Sequence, residues 1–248
     1  MTQKRTTVQD IREEFVKLFQ TDKFVIDKNG GKVIEIVNAN FVTTDDTIFG
    51  NVNTDYVKRE LDWYLSQSLN VYDIPGGPPK IWQQVADSSG LINSNYGWCV
   101  FSRDNYNQYT NVLDELRASP DSRRAIMIYT RPNMWLDYNL DGRSDFMCTT
   151  SVHYLIRDDK LHAIVSMRSC DAWAGYRNDY FWQKYVLDKL SKDLGISSGD
   201  IHWNANSFHV YESQFYLVDY FAKTGLIHIN KDDYAKYVSF TDKLYAKY

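Results

Sequence analysis

The stretch from Met167 to Tyr180 reads M-R-S-C-D-A-W-A-G-Y-R-N-D-Y and sets an arginine, a serine and two carboxylates within one short segment. Its pattern passes from a strand end through a glycine turn into a helix. At the strand end Arg168 and Ser169 put a guanidinium beside a hydroxyl, a pair suited to an anion as well as to a plain salt bridge. Asp171 and Asp179 add two hydrogen-bond acceptors. The helix is expected over Asp179 to Leu194, which puts Asp179 near its start, where the macrodipole favours an anion and where an ordinary N-cap would also sit. The segment as a whole suits an anionic, hydrogen-bonding small molecule.

Other residues carry chemical potential elsewhere. Cys148 follows D-G-R-S-D-F-M and is expected mid-strand. It reads as an inert strand cysteine or, with positive surroundings to lower its pKa, as a nucleophile, and Arg123, Arg124 and Arg168 are the candidate cations. Arg123 and Arg124 open a strand, so their side chains point to opposite sides, one free to bind phosphate and the other to brace the site or a partner subunit. Glu60 falls on the apolar face of a helix, unusual for a carboxylate unless it is paired, working or snorkelling at the edge. His209 and Tyr211 alternate with Phe208 and Val210 and share a strand face, able to hold a sugar hydroxyl or to satisfy each other. Trp82 and Tyr96, taken alone, read as core aromatics. The five histidines lack ligand spacing with the three cysteines, so no metal site is expected. There is no glycine-rich phosphate loop and no G-x-S-x-G.

These residues need a scaffold, and the pattern supplies one. Thr7 to Gln20 reads as an amphipathic helix with Val8, Ile11, Phe15, Leu18 and Phe19 on one face and a capping box from Thr7 to Asp10. Phe24 to Phe41 reads as a hairpin turning at K-N-G-G. Thr54 to Leu69 is a second helix, capped by Thr54, with Val57, Leu61, Tyr64 and Leu65 inward and Glu60 beside them. Asn105 to Leu116 is a third. A strand at A-I-M-I-Y-T follows, then paired strands over Phe146 to Arg157 and Leu161 to Arg168, turning at Asp158-Asp159. The Asp179 helix stops at Gly195, Ile201 to Tyr211 is extended, and a last helix runs to about Gly225. The pattern describes an α+β chain, a mixed β-sheet packed with helices, in a single domain over residues 1–248. A hydrophobic share of 44% and 19 tyrosines supply an ample core. The net charge of -4 argues against nonspecific nucleic-acid binding but not against one phosphate. An odd cysteine count without framework spacing points to reduced thiols. With no apolar signal core near the start and no bilayer-length apolar run, a soluble, intracellular protein with no membrane partner is expected.

Read in order, the motifs resemble the thymidylate synthase family. The likeness lies at R-E-L-D-W-Y-L (59 to 65), I-W (81 to 82), N-Y-G (95 to 97) and P-D-S-R-R (120 to 124). It continues at the Cys148 strand, at R-S-C-D with its following Gly175, and at H-V-Y (209 to 211). These blocks span most of the chain. Three features depart from the synthase pattern. Asp179 stands where synthases have asparagine, and M-C-T replaces a cysteine flanked by proline and histidine. The chain end S-F-T-D-K-L-Y-A-K-Y replaces their apolar closing tail. The departures resemble the phage-type branch of the family that hydroxymethylates deoxycytidylate. The substitution is physically coherent. An asparagine amide suits uracil, whereas cytosine reverses both demands, and a carboxylate at Asp179 can accept from N4 and share a proton with N3.

The resemblance implies the rest. Cys148 would add to C6 of dCMP, with 5,10-methylenetetrahydrofolate as co-substrate and no metal. Glu60 would run the proton-moving water network, and Trp82, Asp171 and Gly175 would meet the folate. Tyr96 would lie beside Cys148. Arg168 and Ser169 would hold the phosphate, with Lys28 where the family has a loop arginine. His209 and Tyr211 would hold the sugar 3'-hydroxyl. Arg123 and Arg124 would reach across a sheet-backed homodimer, in the cytoplasm of an infected host cell, with other deoxynucleotide-synthesis enzymes as candidate partners. Three other readings stay open: a thymidylate synthase with an atypical base reader, a CMP hydroxymethylase, and a silent nucleotide-binding subunit of a deoxynucleotide-synthesising complex.

Overall fold

The computed structural model describes residues 5–230 together with Asp233, Tyr234 and Tyr237. The segment S-F-T-D-K-L-Y-A-K-Y lies outside the described residues. In chain order the elements are α1 (Val8–Gln20), β1 (Val25–Ile26), β2 (Lys32–Val42), α2 (Thr54–Ser66), α3 (Lys80–Val85), α4 (Tyr96–Phe101) and α5 (Gln108–Ala118). Then come β3 (Ile126–Ile128), α6 (Met134–Asp137), β4 (Thr149–Arg157), β5 (Lys160–Met167), β6 (Cys170–Asp171), α7 (Ala174–Leu194), β7 (Ser197–Tyr211) and α8 (Phe215–Thr224). Seven strands form a mixed sheet in the order β1-β2-β7-β5-β4-β3, with β6 parallel to β7, so the α+β expectation holds. Among the described residues no helix is long and apolar enough to cross a membrane.

The chain divides into two compact units interleaved along the sequence. The first takes Met1–Val52, Arg168–Phe181 and His202–Tyr248. Its core is aromatic: Phe15, Phe41 and Phe208 pack ring on ring, and Tyr176 meets Phe41, Phe208 and Trp203. Helix α1 enters through the expected capping box, Thr7 with Asp10. Its inward face also buries Arg12, which periodicity alone passed over. The guanidinium bonds the Ile48 and Thr47 carbonyls at 2.7 and 2.8 Å and Asp45 at 2.8 Å, the partners a buried cation requires.

The second unit takes Asn53–Met167 and Trp182–Ile201. Its centre stacks Tyr64 on Tyr96 at 5.1 Å, with Trp63, Tyr129 and Trp182 against them. Strands β4 and β5 turn at Asp158 and Asp159, both left-handed (φ 51 and 58°), the backbone a tight hairpin needs and aspartate tolerates.

Several boundaries differ from the sequence reading, each for a local reason. Asn53, not Thr54, caps α2, because its side chain accepts from Tyr56 N. The buried face of α2 is Glu60, Trp63 and Tyr64, whereas Leu65 is 38% exposed; the Trp63 indole turns inward to donate to the Asn70 carbonyl. Helix α5 starts at Gln108, after a left-handed Asn107 cap. Cys148 is not mid-strand: β4 begins at Thr149, and the preceding segment is drawn out of the ladder by other bonds. Asp179 is not at a helix start, because Asp171 initiates α7 at Ala174. Helices α3, α4 and α6 are additions; they are too short to show a period.

Candidate active site

In the second unit Glu60 is 4% exposed, and its Oε1 collects two donors. The Tyr56 hydroxyl, one turn earlier on α2, donates at 2.5 Å. The Trp82 indole N–H on α3 lies 3.2 Å from the same oxygen and 2.9 Å from the Tyr56 hydroxyl. The Trp82 ring meets Trp63 edge-on at 5.3 Å, which fixes the indole. Burial pushes the Glu60 carboxyl up from 4.5 to about 7, with the Tyr56 and Trp82 hydrogen bonds pulling the other way. A carboxyl balanced there can both take and give a proton near neutrality. Burial, then the nearby Glu60 charge, pushes the Tyr56 hydroxyl far above its ordinary range, so it remains a donor.

The segment leading to Cys148 is anchored in the same unit. Asp145 is buried and accepts from Asn93 N at 2.6 Å and Ser94 Oγ at 2.7 Å. Arg143 bonds Asp87 at 2.6 Å and Asn93 Oδ1 at 3.0 Å. These bonds hold residues 143 to 145 off the sheet and deliver a half-buried Cys148 at the edge of β4. The next residue, Thr149, is fully buried and its hydroxyl lies 3.1 Å from the Tyr96 hydroxyl. Tyr96 therefore reaches the residue after Cys148 from the first turn of α4, a helix capped by Asn95. Cys99 is a buried thiol that burial pushes up to about 12, a group suited to packing.

In the first unit Asp171 serves as the cap of α7. Its carboxylate accepts from Trp173 N at 2.9 Å, Ala174 N at 3.0 Å and Gly175 N at 3.3 Å. A Cβ at Gly175 would stand 3.3 Å from the Asp171 Cβ, a tight contact beside this cap. Asp171 pairs with His209 through β6 and β7, and Ala172 N donates to the His209 carbonyl at 2.8 Å. His209 is buried, with its Nδ1 3.2 Å from Ser207 Oγ, which in turn donates to Glu35. Tyr211 packs edge-on to His209 at 4.9 Å and is half-exposed, so the expected shared face is present. Arg168 is exposed just past the end of β5, Ser169 follows half-buried, and Asp179 is half-buried within α7.

The structure thus joins Glu60 with Trp82, Tyr96 with the Cys148 segment, and Asp171 with Gly175, His209 and Tyr211. Lys28 is exposed in the β1–β2 turn, without a hydrogen bond or ion pair among the described residues. Arg124 is held by Glu115 at 2.9 Å, whereas Arg123 is exposed without such a bond among the described residues. Tyr56 went unnoticed in the sequence; its spacing of four from Glu60 was the available signal. His162 lies against Gly199 and accepts the Asp200 N–H on Nδ1 at 3.0 Å, so that nitrogen's lone pair is spent on the backbone.

Comparison with known proteins fixes the class. The family model for thymidylate synthase matches residues 41–224, and the chain belongs to the thymidylate synthase family. Within it, the chain is 57% identical over 235 residues to the deoxycytidylate 5-hydroxymethyltransferase of Enterobacteria phage T4, covering 92% of this chain and 96% of that protein. The enzymes of that name from phages T6 and T2 match at the same identity and coverage.

Proposed function

We propose that this protein is a deoxycytidylate 5-hydroxymethyltransferase acting as one catalytic domain. It transfers a one-carbon unit from 5,10-methylenetetrahydrofolate to C5 of dCMP. The carrying observation is the 57% identity across 92% of the chain to the phage T4 enzyme of that name. The carboxylate at Asp179, in place of the asparagine of synthases, supports cytosine as the base. It can accept from N4, and a proton shared with N3 completes the pair and draws electrons from C6. An amide there would leave buried polar groups of cytosine unpaired, which is where strong discrimination arises.

In this reading the Cys148 thiolate adds to C6, and C5 attacks the methylene carbon of the folate. C5 loses its proton, tetrahydrofolate departs, and water adds to the exocyclic methylene before Cys148 leaves C6. The sum is dCMP, methylenetetrahydrofolate and water in, and 5-hydroxymethyl-dCMP and tetrahydrofolate out. Glu60, raised to about 7, moves protons through water at these steps. Tyr96 flanks the nucleophile, Trp82 packs on the folate, and Asp171 and Gly175 form its polar border. Arg168, Ser169 and Lys28 hold the phosphate; His209 and Tyr211 hold the 3'-hydroxyl.

The active form in this reading is a homodimer backed by its sheets, with Arg123 and Arg124 completing the partner's phosphate site and the enzyme working in the infected cell's cytoplasm. The outward side of β3, β4 and β5 supports the dimer: Ile126 and Ile128 are exposed, with His153, Leu155 and Ile164 on the same side. The two exposed isoleucines, among polar neighbours that include Ser151, His162 and Ser166, are the part of this face suited to association. The deciding experiment offers dCMP, dUMP and CMP with methylenetetrahydrofolate and analyses the products by mass spectrometry. The expected product is dCMP heavier by one formaldehyde unit, without the absorbance rise of dihydrofolate. A methylated dUMP product would establish a synthase instead.

A further inference from the structure

Tyr56 has no part in the chemistry above, yet its hydroxyl donates to Glu60 Oε1 at 2.5 Å and faces the Trp82 indole at 2.9 Å. We propose that Tyr56 is a positioning residue for Glu60, pinning Oε1 so that Oε2 is presented to the reacting water. The inference rests on the reading of Glu60 as the proton-moving group.

The three atoms form a triangle of 2.5, 2.9 and 3.2 Å. The indole has one hydrogen to divide between two oxygens, so alone it holds Glu60 weakly. The phenol has a hydrogen of its own and aims it at Oε1. It is also held without help from ligand. Four residues separate it from Glu60 on one helix, and Arg59 lies over its ring at 5.4 Å. Arg59 is itself tied to Asp55 and to the Pro75 and Gly77 carbonyls. Both donors fall on Oε1, and no donor among the described residues reaches Oε2. One oxygen is therefore structural and the other chemical.

The other groups around the carboxyl do not compete for this role. On α2, Lys58 and Asp62 are exposed, and Asp55 is paired outward with Arg59. On α3, Lys80 is exposed at the helix start. On α4, which packs against α2, Tyr96 is directed to Thr149, and the buried Cys99 thiol is kept neutral by burial.

A hydrogen bond to a carboxylate favours its charged form, so removing the hydroxyl raises the pH at which Glu60 ionises. In the full chain Tyr56→Phe is expected to move the acid limb of the kcat profile up by about one pH unit. Near pH 7 kcat then falls about 5-fold to 10-fold and recovers as the pH is raised, with KM for both substrates within about twofold. An unmoved limb with kcat lowered at every pH would overturn the proposal. Tyr56→Leu removes the same hydroxyl and is expected to shift the limb the same way, should the phenylalanine variant not fold. In a Glu60→Gln background Tyr56→Phe is expected to cost nothing further; an equal loss in both backgrounds overturns it. The infrared carboxyl band of Glu60, titrated without substrate, reads the same shift. Failure to hydroxymethylate dCMP would remove the functional reading, whereas an unmoved carboxyl titration would remove Tyr56 alone.

Discussion

Gly97→Ala is the most severe single-atom test of the second unit. A Cβ at residue 97 would stand 1.7 Å from the Tyr64 carbonyl oxygen and 2.4 Å from its carbon. Real Cβ atoms essentially never come within 3.0 Å of a neighbour, so α4 must retreat from α2 by about 1.3 Å. The obstacle is backbone, and the Tyr64 carbonyl is committed to Gln67 N at 3.0 Å, so no side chain can yield instead. Overpacking costs about 1–3 kcal/mol, and a clash with backbone belongs at the upper end. The retreat also opens the 3.1 Å bond from Thr149 to Tyr96, worth about 1 kcal/mol. A loss of about 4 kcal/mol is expected, a large share of the roughly 5–15 kcal/mol that holds a domain. Urea titration followed by tryptophan fluorescence checks it, with the midpoint expected to fall by about 1.5–2 M. A shift below about 0.5 M would refute the reasoning. Gly175→Ala is the control: at 3.3 Å from the Asp171 Cβ, the added methyl is expected to cost about 1 kcal/mol or less.

The remaining expectations concern the chemistry. Cys148→Ala is expected to lower kcat by about 10^4-fold or more while dCMP still binds, as read by rapid kinetics and calorimetry; substantial residual turnover removes the nucleophile assignment. Asp179→Asn is expected to shift the ratio of kcat/KM for dCMP over dUMP by at least about 100-fold toward dUMP, and unchanged selectivity refutes the base-reading step. Glu60 has a folded pKa of about 7 against 4.5 unfolded, so the native state holds its proton longer. Its contribution to stability is full below 4.5 and is lost as the pH rises through 7. Relative to Glu60→Gln, the unaltered protein is therefore expected to lose about 3 kcal/mol across that window; parallel stability curves would contradict the buried carboxyl.

What the sequence made legible follows from which residues obey a period. Thr7 and Asp10 form the capping box their spacing announces, and Glu60 is buried on the same helix side as Tyr64, four residues on. Periodicity failed where side chains, not repeats, set the backbone. Asp171 starts α7 by accepting three amide protons, so Ala174 and Gly175, which read as a turn, are helical and Asp179 lies inside the helix. Asp145 pulls the chain off the ladder before Cys148, which hydrophobic alternation cannot reveal. Helix α4 has only six residues, too few for a period, and is marked by Asn95 alone. Tyr56 was marked only by its spacing of four from Glu60, a weak signal because a tyrosine in a first helical turn resembles any surface aromatic until its partners are seen.

The cap on α7 has a consequence for observing the protein at work. Asp171 already gives both carboxylate oxygens to the amides of Trp173, Ala174 and Gly175. A pterin that draws on the same oxygens must share them, loosening the hold on those three protons. Folate occupancy would then be recorded as faster deuterium uptake at three consecutive backbone positions, a signal that needs no turnover and no label on the ligand.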